Sequence, residues 1–279
     1  MYTRWSPELT DWLNRPGTQA LQLGDLDYHV TAGPHQVDLL SIAPNLDDVI
    51  DSGLIQKFEK HSVASICNVN NTSFFAKHIR FTEKDFHSRL RYVIAPSRSY
   101  WTAVVADRLH RSQIQTPAVL AAAERRSFGL LTDSYIFTEA LHGAVPADTA
   151  LKQYPNSLDL FIKCIRLLKS LHDCGVVHGD IKLTNIFVQS ETLGFWDLDS
   201  AMIFPRRIPQ KWVIRDLGRL LSSFIIATDA LRETSDQFFN VNTFIDCLSD
   251  TYSIDRTLIA QNLKNYWLKK MKLKRQIQL

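Results

Sequence analysis

The sequence predicts an α+β protein of two lobes, in which a small β-rich lobe precedes a larger lobe of helices. Three observations predict this fold class: extended apolar runs come first, one apolar strand then enters a linker, and strongly amphipathic helices follow around a polar loop. With 279 residues, of which 45% are hydrophobic, the chain can bury a large core, as one domain or as two lobes. We expect an N-terminal extension at residues 1–45, a first lobe at 46–139 and a second lobe at 140–279.

The first lobe is predicted from extended runs and one helix. The N-terminal residues before it are rich in turn signals and have little periodicity. Two apolar runs at 63–69 and 73–79 are joined by Asn70-Asn71, which is a hairpin signal. Residues 96–111 have the apolar spacing of a helix, and residues 134–141 indicate a buried strand that runs into the linker.

Helices are predicted through most of the second half. Residues 158–172 have their apolar side chains on one side of a helix, and the chain from Trp212 onward has a helical pattern as well. The apolar stretch from Leu217 to Ala227 is interrupted by Arg219. It therefore predicts a core helix and not a membrane span, which needs about 20 apolar residues.

A polar loop lies between two short apolar runs and carries the most informative motif. His178, Asp180 and Asn185 have the spacing H-x-D-x-x-x-x-N, and Asp197 follows the next apolar run. In loops of this spacing the Asp meets an attacking hydroxyl group and the Asn holds magnesium, so the motif indicates phosphoryl transfer. The alternative is a hairpin in which Asp and Asn only stabilise turns. A turn, however, does not need Asp197 as well.

The cysteines and the N-terminal sequence argue against several other classes of protein. The four cysteines are scattered without a C-x-x-C pair, which indicates buried thiols in a reducing compartment and no zinc site. The N-terminus has no apolar segment of signal-peptide length. These observations predict a soluble, cytoplasmic protein.

The C-terminus is basic and leaves two interpretations open. No acidic residue follows Asp255, and aromatic and aliphatic side chains alternate with the basic ones. The basic side chains after that point are Arg256, Lys264, Lys269, Lys270, Lys272, Lys274 and Arg275. Such a segment can lie on an anionic membrane surface, or it can be a final helix packed on the body with its lysines in water. Nucleic acid is not an expected partner, because no nucleic-acid motif accompanies the charge.

In order and spacing these motifs match a known family: the chain resembles the lipopolysaccharide kinases, the Kdo and core-heptose sugar kinases that share the protein-kinase-like fold. The resemblance extends from about Leu46 to about Phe224. The segments that carry it are Phe75-Ala76-Lys77, Ser97-Arg98, Trp101, Arg108-Leu109, Thr116-Pro117, Ser134–Glu139, the polar loop, Trp196-Asp197-Leu198, Pro205-Arg206-Arg207 and Lys211–Leu217. It implies a two-lobed protein-kinase-like fold, with a small β-rich N-lobe, a larger α-helical C-lobe, and ATP and Mg²⁺ as cofactors.

The resemblance also implies roles for residues of the nucleotide and catalytic sites. Lys77 would bind the α- and β-phosphates of ATP, and the hinge at Glu139 and Leu141 would meet adenine through its backbone. Asp180 would orient the acceptor hydroxyl group, and Lys182 would neutralise the charge on the transferred phosphate.

The remaining implied roles concern metal binding and structural support. Asn185 and Asp197 would hold magnesium. Asp216 would brace the backbone of the polar loop from within the fold. His178 is expected to be structural, because in this fold the residue at its position packs and hydrogen-bonds and does not transfer protons.

Two departures from the family pattern concern the nucleotide site. The family has a Glu near Trp101 that pairs with the strand lysine, but here the neighbours are Tyr100 and Thr102. Lys77 would then pair with Glu83, Asp85 or Asp107, or remain unpaired. In addition, Gly53 is the only glycine near the expected phosphate-covering loop, so there is no G-x-G-x-x-G motif.

The segment between Asp197 and Asp216 indicates the class of acceptor. It is short and has no A-P-E element, whereas a regulated protein kinase uses this segment to bind peptides. The segment contains Arg206, Arg207, Lys211 and Arg215, which suit a carboxylated or phosphorylated glycan. The alternative is a basic surface without a ligand.

We therefore expect a kinase that phosphorylates a lipopolysaccharide core sugar, either heptose or Kdo, and that works in the cytoplasm at the inner face of a bacterial inner membrane. The alternatives are a small Ser/Thr protein kinase and a nucleotide-binding pseudokinase with a regulatory role. The missing Glu favours the pseudokinase.

Overall fold

A computed structural model describes residues 6–59, 61–70, 72–82, 86–153, 157–231 and 241–265. The chain divides into two compact units. The first unit comprises residues 1–108 and 117–142, and the second comprises residues 109–116 and 143–279. The first unit contains one large antiparallel sheet and the second is mainly helical, as the fold class predicted.

The sheet of the first unit has seven strands in the order β1-β2-β6-β7-β5-β4-β3, and all neighbours are antiparallel. Its strands are β1 (Gln19–Leu23), β2 (Leu26–Val30), β3 (Leu54–Glu59), β4 (Ser62–Val69), β5 (Thr72–Arg80), β6 (Val119–Ser127) and β7 (Leu130–Glu139). The predicted hairpin is β4 and β5, and Asn70 in its turn has a positive φ of 50°.

The N-terminal residues are part of this sheet, although an extension was expected at 1–45. Strand β2 pairs with β6, with Val30 opposite Ala121. Leu26, Tyr28 and Val30 are buried in the core of the unit. The alternation of buried and half-buried residues along β2 is a strand signal. In the sequence this signal lies among turn-rich segments, and its pairing with the distant strand β6 cannot be read from a local pattern.

The helices that precede β3 lie on both faces of the sheet. Helix α1 (Pro7–Leu13) packs through Trp12 on His29 of β2. Helices α2 (Gln36–Ile42) and α3 (Leu46–Ser52) cover the opposite face, toward which Tyr28 points. Leu39 and Ile50 are fully buried against the sheet in the same cluster as Phe74 and Phe137. The Tyr28 hydroxyl donates a hydrogen bond to the carbonyl oxygen of Leu39 at 2.9 Å, so α2 is fixed by a polar contact as well as by packing.

The other helices of the first part of the chain are α4 (Phe86–Ile94) and α5 (Arg98–Arg111). Tyr92 of α4 packs with Phe81 at 4.8 Å between ring centroids. Helix α5 was predicted at 96–111, and the structure confirms it. Most of its residues are buried, including Trp101 and Val105.

The second unit is built from helices with short strands between them. The helices are α6 (Ala147–Ala150), α7 (Ser157–Asp173), α8 (Gln210–Leu231) and α9 (Val241–Tyr252), and the strands are β8 (Val145–Pro146), β9 (Val176–Val177), β10 (Ile186–Gln189), β11 (Thr192–Phe195) and β12 (Met202–Ile203). Residues 256–265 are also helical. Phe161 of α7 packs with Phe224 of α8 and Phe244 of α9, at centroid distances of 4.7 and 4.3 Å. This aromatic cluster joins α7, which was predicted at 158–172, to α8 and α9, which lie in the region predicted to be helical from Trp212 onward.

The sequence predicted that no helix spans a membrane and that the basic C-terminal segment can bind a membrane surface. Within the described ranges no helix combines the length and the apolarity that crossing a bilayer requires. Of the basic C-terminal side chains, Arg256 and Lys264 are described, and Arg256 contacts Asp246 with an Nε–Oδ1 distance of 3.4 Å. Lys269, Lys270, Lys272, Lys274 and Arg275 lie outside the described residues, so membrane binding by this segment stays a prediction.

Candidate active site

The polar loop of the second unit runs between β9 and β10 and begins with a sharp turn at Gly179. Gly179 has a φ of +78°, and a Cβ atom at this position would lie 2.3 Å from the carbonyl oxygen of Ser200. Both the backbone conformation and the close approach therefore require glycine. This turn places Asp180 immediately after a residue whose backbone conformation and close packing only glycine allows.

The carboxyl group of Asp216 holds this segment from inside the fold. Asp216 is fully buried in α8. It accepts hydrogen bonds from the backbone N–H groups of His178 at 2.9 Å and of Gly179 at 3.2 Å. Buried N–H groups need such partners, because an unsatisfied one costs about 1–3 kcal/mol. This is the contact that was expected of Asp216.

A second layer behind Asp216 consists of two aromatic side chains. His172 Nε2 lies 3.3 Å from Asp216 Oδ2, and His172 Nδ1 lies 3.0 Å from the Tyr252 hydroxyl. Burial and the nearby carboxyl groups of Asp216 and Asp173 raise the pKa of Tyr252, so this hydroxyl remains protonated. Helices α7, α8 and α9 thus meet in one polar network whose end is the polar loop.

Asp180 is held between two cations. Arg219 Nη1 lies 2.7 Å from Asp180 Oδ1, and Lys182 Nζ lies 3.5 Å from Asp180 Oδ2. Arg219 also donates to the carbonyl oxygen of Gly179. The Asp180 side chain remains 45% exposed, so a carboxyl group of fixed orientation faces solvent.

Arg219 is the residue of this site that sequence reasoning missed. In the sequence alone Arg219 marks only an interruption of an apolar helix. It lies one helical turn after Asp216, on the side of α8 that faces the loop. A buried acid and a basic residue three positions apart in an otherwise apolar helix were the available signal.

Asn185 and Asp197 offer oxygen atoms of the kind that magnesium prefers. The Asn185 side-chain amide donates to the carbonyl oxygen of Asp180 at 2.9 Å. This leaves the amide oxygen as the atom that Asn185 can offer to a cation. Asp197 is exposed and has a left-handed backbone conformation, with φ 56° and ψ 58°. The donor set fits a hard divalent cation.

In the part of the chain that the structure describes, no group of three or more His, Cys, Asp or Glu side chains can hold a metal. Magnesium is usually held by one or two carboxylates together with the phosphates of the substrate. The pair of Asn185 and Asp197 therefore suits magnesium that arrives with a nucleotide.

His178 is buried and does not reach solvent. Its ring packs edge-on against Phe195 at a centroid distance of 5.5 Å. Neither ring nitrogen has a hydrogen-bond partner among the described residues. Burial lowers the pKa of His178 despite the nearby carboxyl groups of Asp216 and Asp197, so the ring is neutral. Its packing agrees with the predicted structural role, but the predicted hydrogen bonds are not seen within these residues.

The first unit presents a face on which apolar and cationic rows lie side by side. Directly paired residues of antiparallel strands share one face. The row called apolar here comprises Leu54, Ile66, Phe75 and Thr138. The neighbouring row, called cationic for its two lysines, comprises Lys57, Ala64, Lys77 and Ile136. The rows are two residues apart along each of β4, β5 and β7, or about 7 Å. Leu54 is 67% exposed, and Ile66, Phe75 and Lys77 are half-buried.

The hinge residues lie at the end of the apolar row. The Glu139 N–H donates to the carbonyl oxygen of Ala118, and the Glu139 carboxylate accepts from the Ala118 N–H, both at 2.9 Å. These bonds occupy the Glu139 N–H. The predicted adenine contacts are therefore the carbonyl oxygen of Glu139 and the backbone of Leu141, which is half-buried.

The partner of Lys77 stays a prediction. Asp107, one of the three acids considered, is buried and forms a salt bridge with Arg15. Glu83 and Asp85 lie outside the described residues. Thr102 and Tyr100, at the position of the family Glu, are buried in α5.

The basic residues expected to meet the acceptor lie before and at the start of α8, and all four are exposed. They are Arg206, Arg207, Lys211 and Arg215. Lys211 Nζ and Arg215 Cζ lie 5.7 and 5.1 Å from the ring centroid of Trp212. Trp212 therefore orients two of the four cations, and acceptor binding by this group stays a prediction.

The braced loop, its exposed carboxylate and the oxygen atoms of Asn185 and Asp197 form the candidate catalytic centre, and they are the groups expected of a kinase. A sequence model of the lipopolysaccharide kinase (Kdo/WaaP) family matches residues 55–243. Since the match covers most of the chain, the protein belongs to this family, which confirms the resemblance found in the sequence.

Individual relatives are more distant. A 3-deoxy-D-manno-octulosonic acid kinase of Vibrio cholerae is 27% identical over 129 residues, which are 46% of this chain and 53% of that protein. The enzyme of the same name from Haemophilus influenzae is 25% identical over 131 residues, 46% of this chain and 54% of that protein. The matched part thus spans about half the length of these curated relatives.

Among solved structures, WaaP in complex with acyl carrier protein aligns with a TM-score of 0.53. The alignment covers 80% of this chain and 88% of that chain at 19% identity. The likeness shows the fold, and it confirms the two-lobed protein-kinase-like architecture.

The burial of His178 predicts a pH dependence of stability. The unfolded chain protonates His178 near its ordinary pKa of 6.5, whereas burial lowers the pKa in the folded protein. Stability is therefore fully present above pH 6.5 and falls as the pH drops toward the lower folded value. In His178→Phe, the slope of unfolding free energy against pH between 6.5 and 5 should be smaller by up to about 1.4 kcal/mol per pH unit. Urea denaturation at several pH values measures both slopes, and equal slopes would contradict a neutral buried imidazole.

Proposed function

We propose that this protein transfers the γ-phosphoryl group of ATP to a hydroxyl group of a sugar in the lipopolysaccharide core. The observation that carries the proposal is the orientation of Asp180, whose exposed carboxylate is fixed by Arg219 and Lys182 on a loop braced by Asp216. A turn that served only to connect two strands would not need this arrangement.

Asp180 orients the acceptor hydroxyl group for in-line attack and accepts its proton as the phosphoryl group leaves ATP. Lys182, next to Asp180, stabilises the charge on the phosphoryl oxygens. Arg219 is a positioning residue, because it contacts Asp180 and the Gly179 carbonyl group and keeps the carboxylate in one orientation.

The cofactors of this reaction are ATP and Mg²⁺. Lys77 binds the phosphates from the cationic row of the first unit, and the apolar row with Glu139 and Leu141 receives adenine. Magnesium, held by Asn185 and Asp197, supplies charge neutralisation to the phosphates when it is bound.

Between the two sugars left open by the sequence, we favour Kdo. The curated relatives are named as kinases of 3-deoxy-D-manno-octulosonic acid, and that sugar carries a carboxylate. Arg206, Arg207 and Arg215 suit a carboxylate, because guanidinium groups bind it through two parallel hydrogen bonds. Heptose itself has no such group.

The acceptor is a glycolipid, so the proposed place of action is the cytoplasmic face of the inner membrane. The basic residues after Asp255 would attract the protein to anionic lipids, by about 1 kcal/mol for each Lys or Arg near the surface. Peripheral binding is thus the proposed mode, with the C-terminal segment as the contact.

The first prediction of the proposal concerns Asp180. Asp180→Asn should lower kcat by about 10²-fold or more, since it removes the proton acceptor, while the Kd for magnesium-ATP stays unchanged. The assay supplies magnesium-ATP with either a Kdo-containing or a heptose-terminated core glycolipid and detects the added phosphate by mass spectrometry. Glu191→Gln is the control, because Glu191 is an acid with 93% exposure on the surface of the same unit.

Phosphate on the Kdo acceptor that depends on Asp180 is the expected result. Phosphate on the heptose acceptor alone would shift the assignment to a heptose kinase. Phosphate on protein alone would favour the protein kinase, and nucleotide binding without any transfer would favour the pseudokinase.

The second prediction concerns Arg219. Arg219→Met should lower kcat about tenfold, equivalent to about 1.4 kcal/mol of transition-state stabilisation, while KM for ATP is retained. Arg219→Lys should recover part of the loss, because it restores the charge but not the second contact. Arg166→Met, which removes an exposed arginine of α7, is the control. Unchanged kcat in Arg219→Met would show that Asp180 needs no positioning.

A further inference from the structure

Lys57 of β3 lies in the same cross-strand row as the nucleotide lysine, Lys77. The pairing of β3 with β4 sets Lys57 opposite Ala64, and the pairing of β4 with β5 sets Ala64 opposite Lys77. Directly opposed residues point to the same face of a sheet. Lys57 and Lys77 therefore share the face that carries the proposed nucleotide site, with only a methyl side chain between them.

A β-bulge is what places Lys57 on this face. The register shifts between Ile55 and Lys57, so that Ile55 opposes Ser65 and Lys57 opposes Ala64. In an unbroken register Gln56 would oppose Ala64 and Lys57 would oppose Val63. The Val63 side chain packs in the core on the opposite face of the sheet. A one-residue shift exchanges the two faces of a strand. The bulge thus moves a lysine to the cationic row.

The spacing of the two lysines suits one phosphate chain. Neighbouring strands lie about 4.8 Å apart, so the two Cα atoms are about 10 Å apart across Ala64. Each lysine has a flexible four-carbon stem, which lets both ammonium groups approach a group above Ala64. Lys57 is exposed and Lys77 half-buried, so the outer end of the row is open to a ligand.

The connection between β3 and β4 explains why a second cation is useful here. Strand β3 ends at Glu59 and β4 begins at Ser62, so only residues 60 and 61 connect them, and neither is glycine. In protein kinases a G-x-G-x-x-G loop covers the phosphates. Gly53, the glycine noted in the sequence, lies before β3, where a Cβ atom would meet Cys67 Sγ at 2.9 Å. It serves packing and does not cover a ligand.

From this geometry we propose that Lys57 is a second phosphate-binding lysine. It contacts the β- and γ-phosphates of the nucleotide, beside Lys77 on the α- and β-phosphates, in place of a glycine-rich loop. The inference rests on the proposed ATP-dependent function and adds Lys57 to the residues that bind the nucleotide at the same site. Adenine and ribose, which would lie toward the apolar row and the hinge, would not contact Lys57.

The test compares nucleotides of different phosphate content by isothermal titration calorimetry with the full chain and magnesium. Lys57→Met keeps the apolar stem and removes the charge. It should weaken ATP binding about tenfold and leave adenosine binding unchanged, whereas Lys57→Arg should bind ATP nearly as wild type does. Lys163→Met is the matched control, because it removes a lysine that pairs with Glu191 on the surface of the other unit.

Each outcome decides the inference. Unchanged ATP affinity in Lys57→Met, or equal losses for ATP and adenosine, would overturn it. If Lys77→Met alone abolishes ATP binding, Lys57 is not a ligand but the proposed kinase function stands. If the wild-type protein binds no nucleotide, both proposals fail.

Discussion

The candidate catalytic loop of this protein depends on the buried carboxyl group of Asp216. It satisfies the backbone N–H groups of His178 and Gly179 and is itself contacted by His172. Gly179 is held there by its positive φ and by its approach to Ser200. The orientation of Asp180, one residue further, follows from this fixed backbone and from Arg219. Helix α8 thus carries both Asp216, which holds the loop backbone, and Arg219, which orients the Asp180 carboxylate.

Each unit, taken by itself, carries groups that the proposed reaction needs. The first unit supplies a sheet face with an apolar row beside a cationic row, which suits the base and the phosphates of a nucleotide. The second supplies a rigid loop with an oriented carboxylate and the oxygen ligands Asn185 and Asp197. Phosphoryl transfer requires little covalent chemistry from the protein, and catalysis comes mainly from positioning and from charge stabilisation. Such positioning needs a restricted backbone, as at Gly179, and a defined strand pairing, as at Lys77.

Sequence reasoning predicted the parts with strong periodicity or fixed motif spacing. The hairpin of β4 and β5, helices α5 and α7, and the loop with Asp180 and Asn185 were predicted because 3.6-residue spacing, a turn signal or a motif marks them. It missed β1, β2, β3 and β6. The N-terminal hairpin joins the sheet only where β2 pairs with β6, which is far away in the sequence. It also missed Arg219 and Lys57, whose roles follow from a helix face and from a β-bulge. Local patterns do not specify either of these tertiary features.

Amide hydrogen exchange at His178 and Gly179 tests most directly whether Asp216 holds the polar loop, because it needs neither a substrate nor a measurement of activity. In Asp216→Asn one oxygen acceptor is replaced by an amide donor of similar size. The account predicts that the exchange of these two amides becomes about 10- to 100-fold faster, as expected for the loss of about 1.4–2.7 kcal/mol of hydrogen-bond protection, while amides in the centre of α7 exchange at wild-type rates. Unchanged exchange at His178 and Gly179 would contradict it.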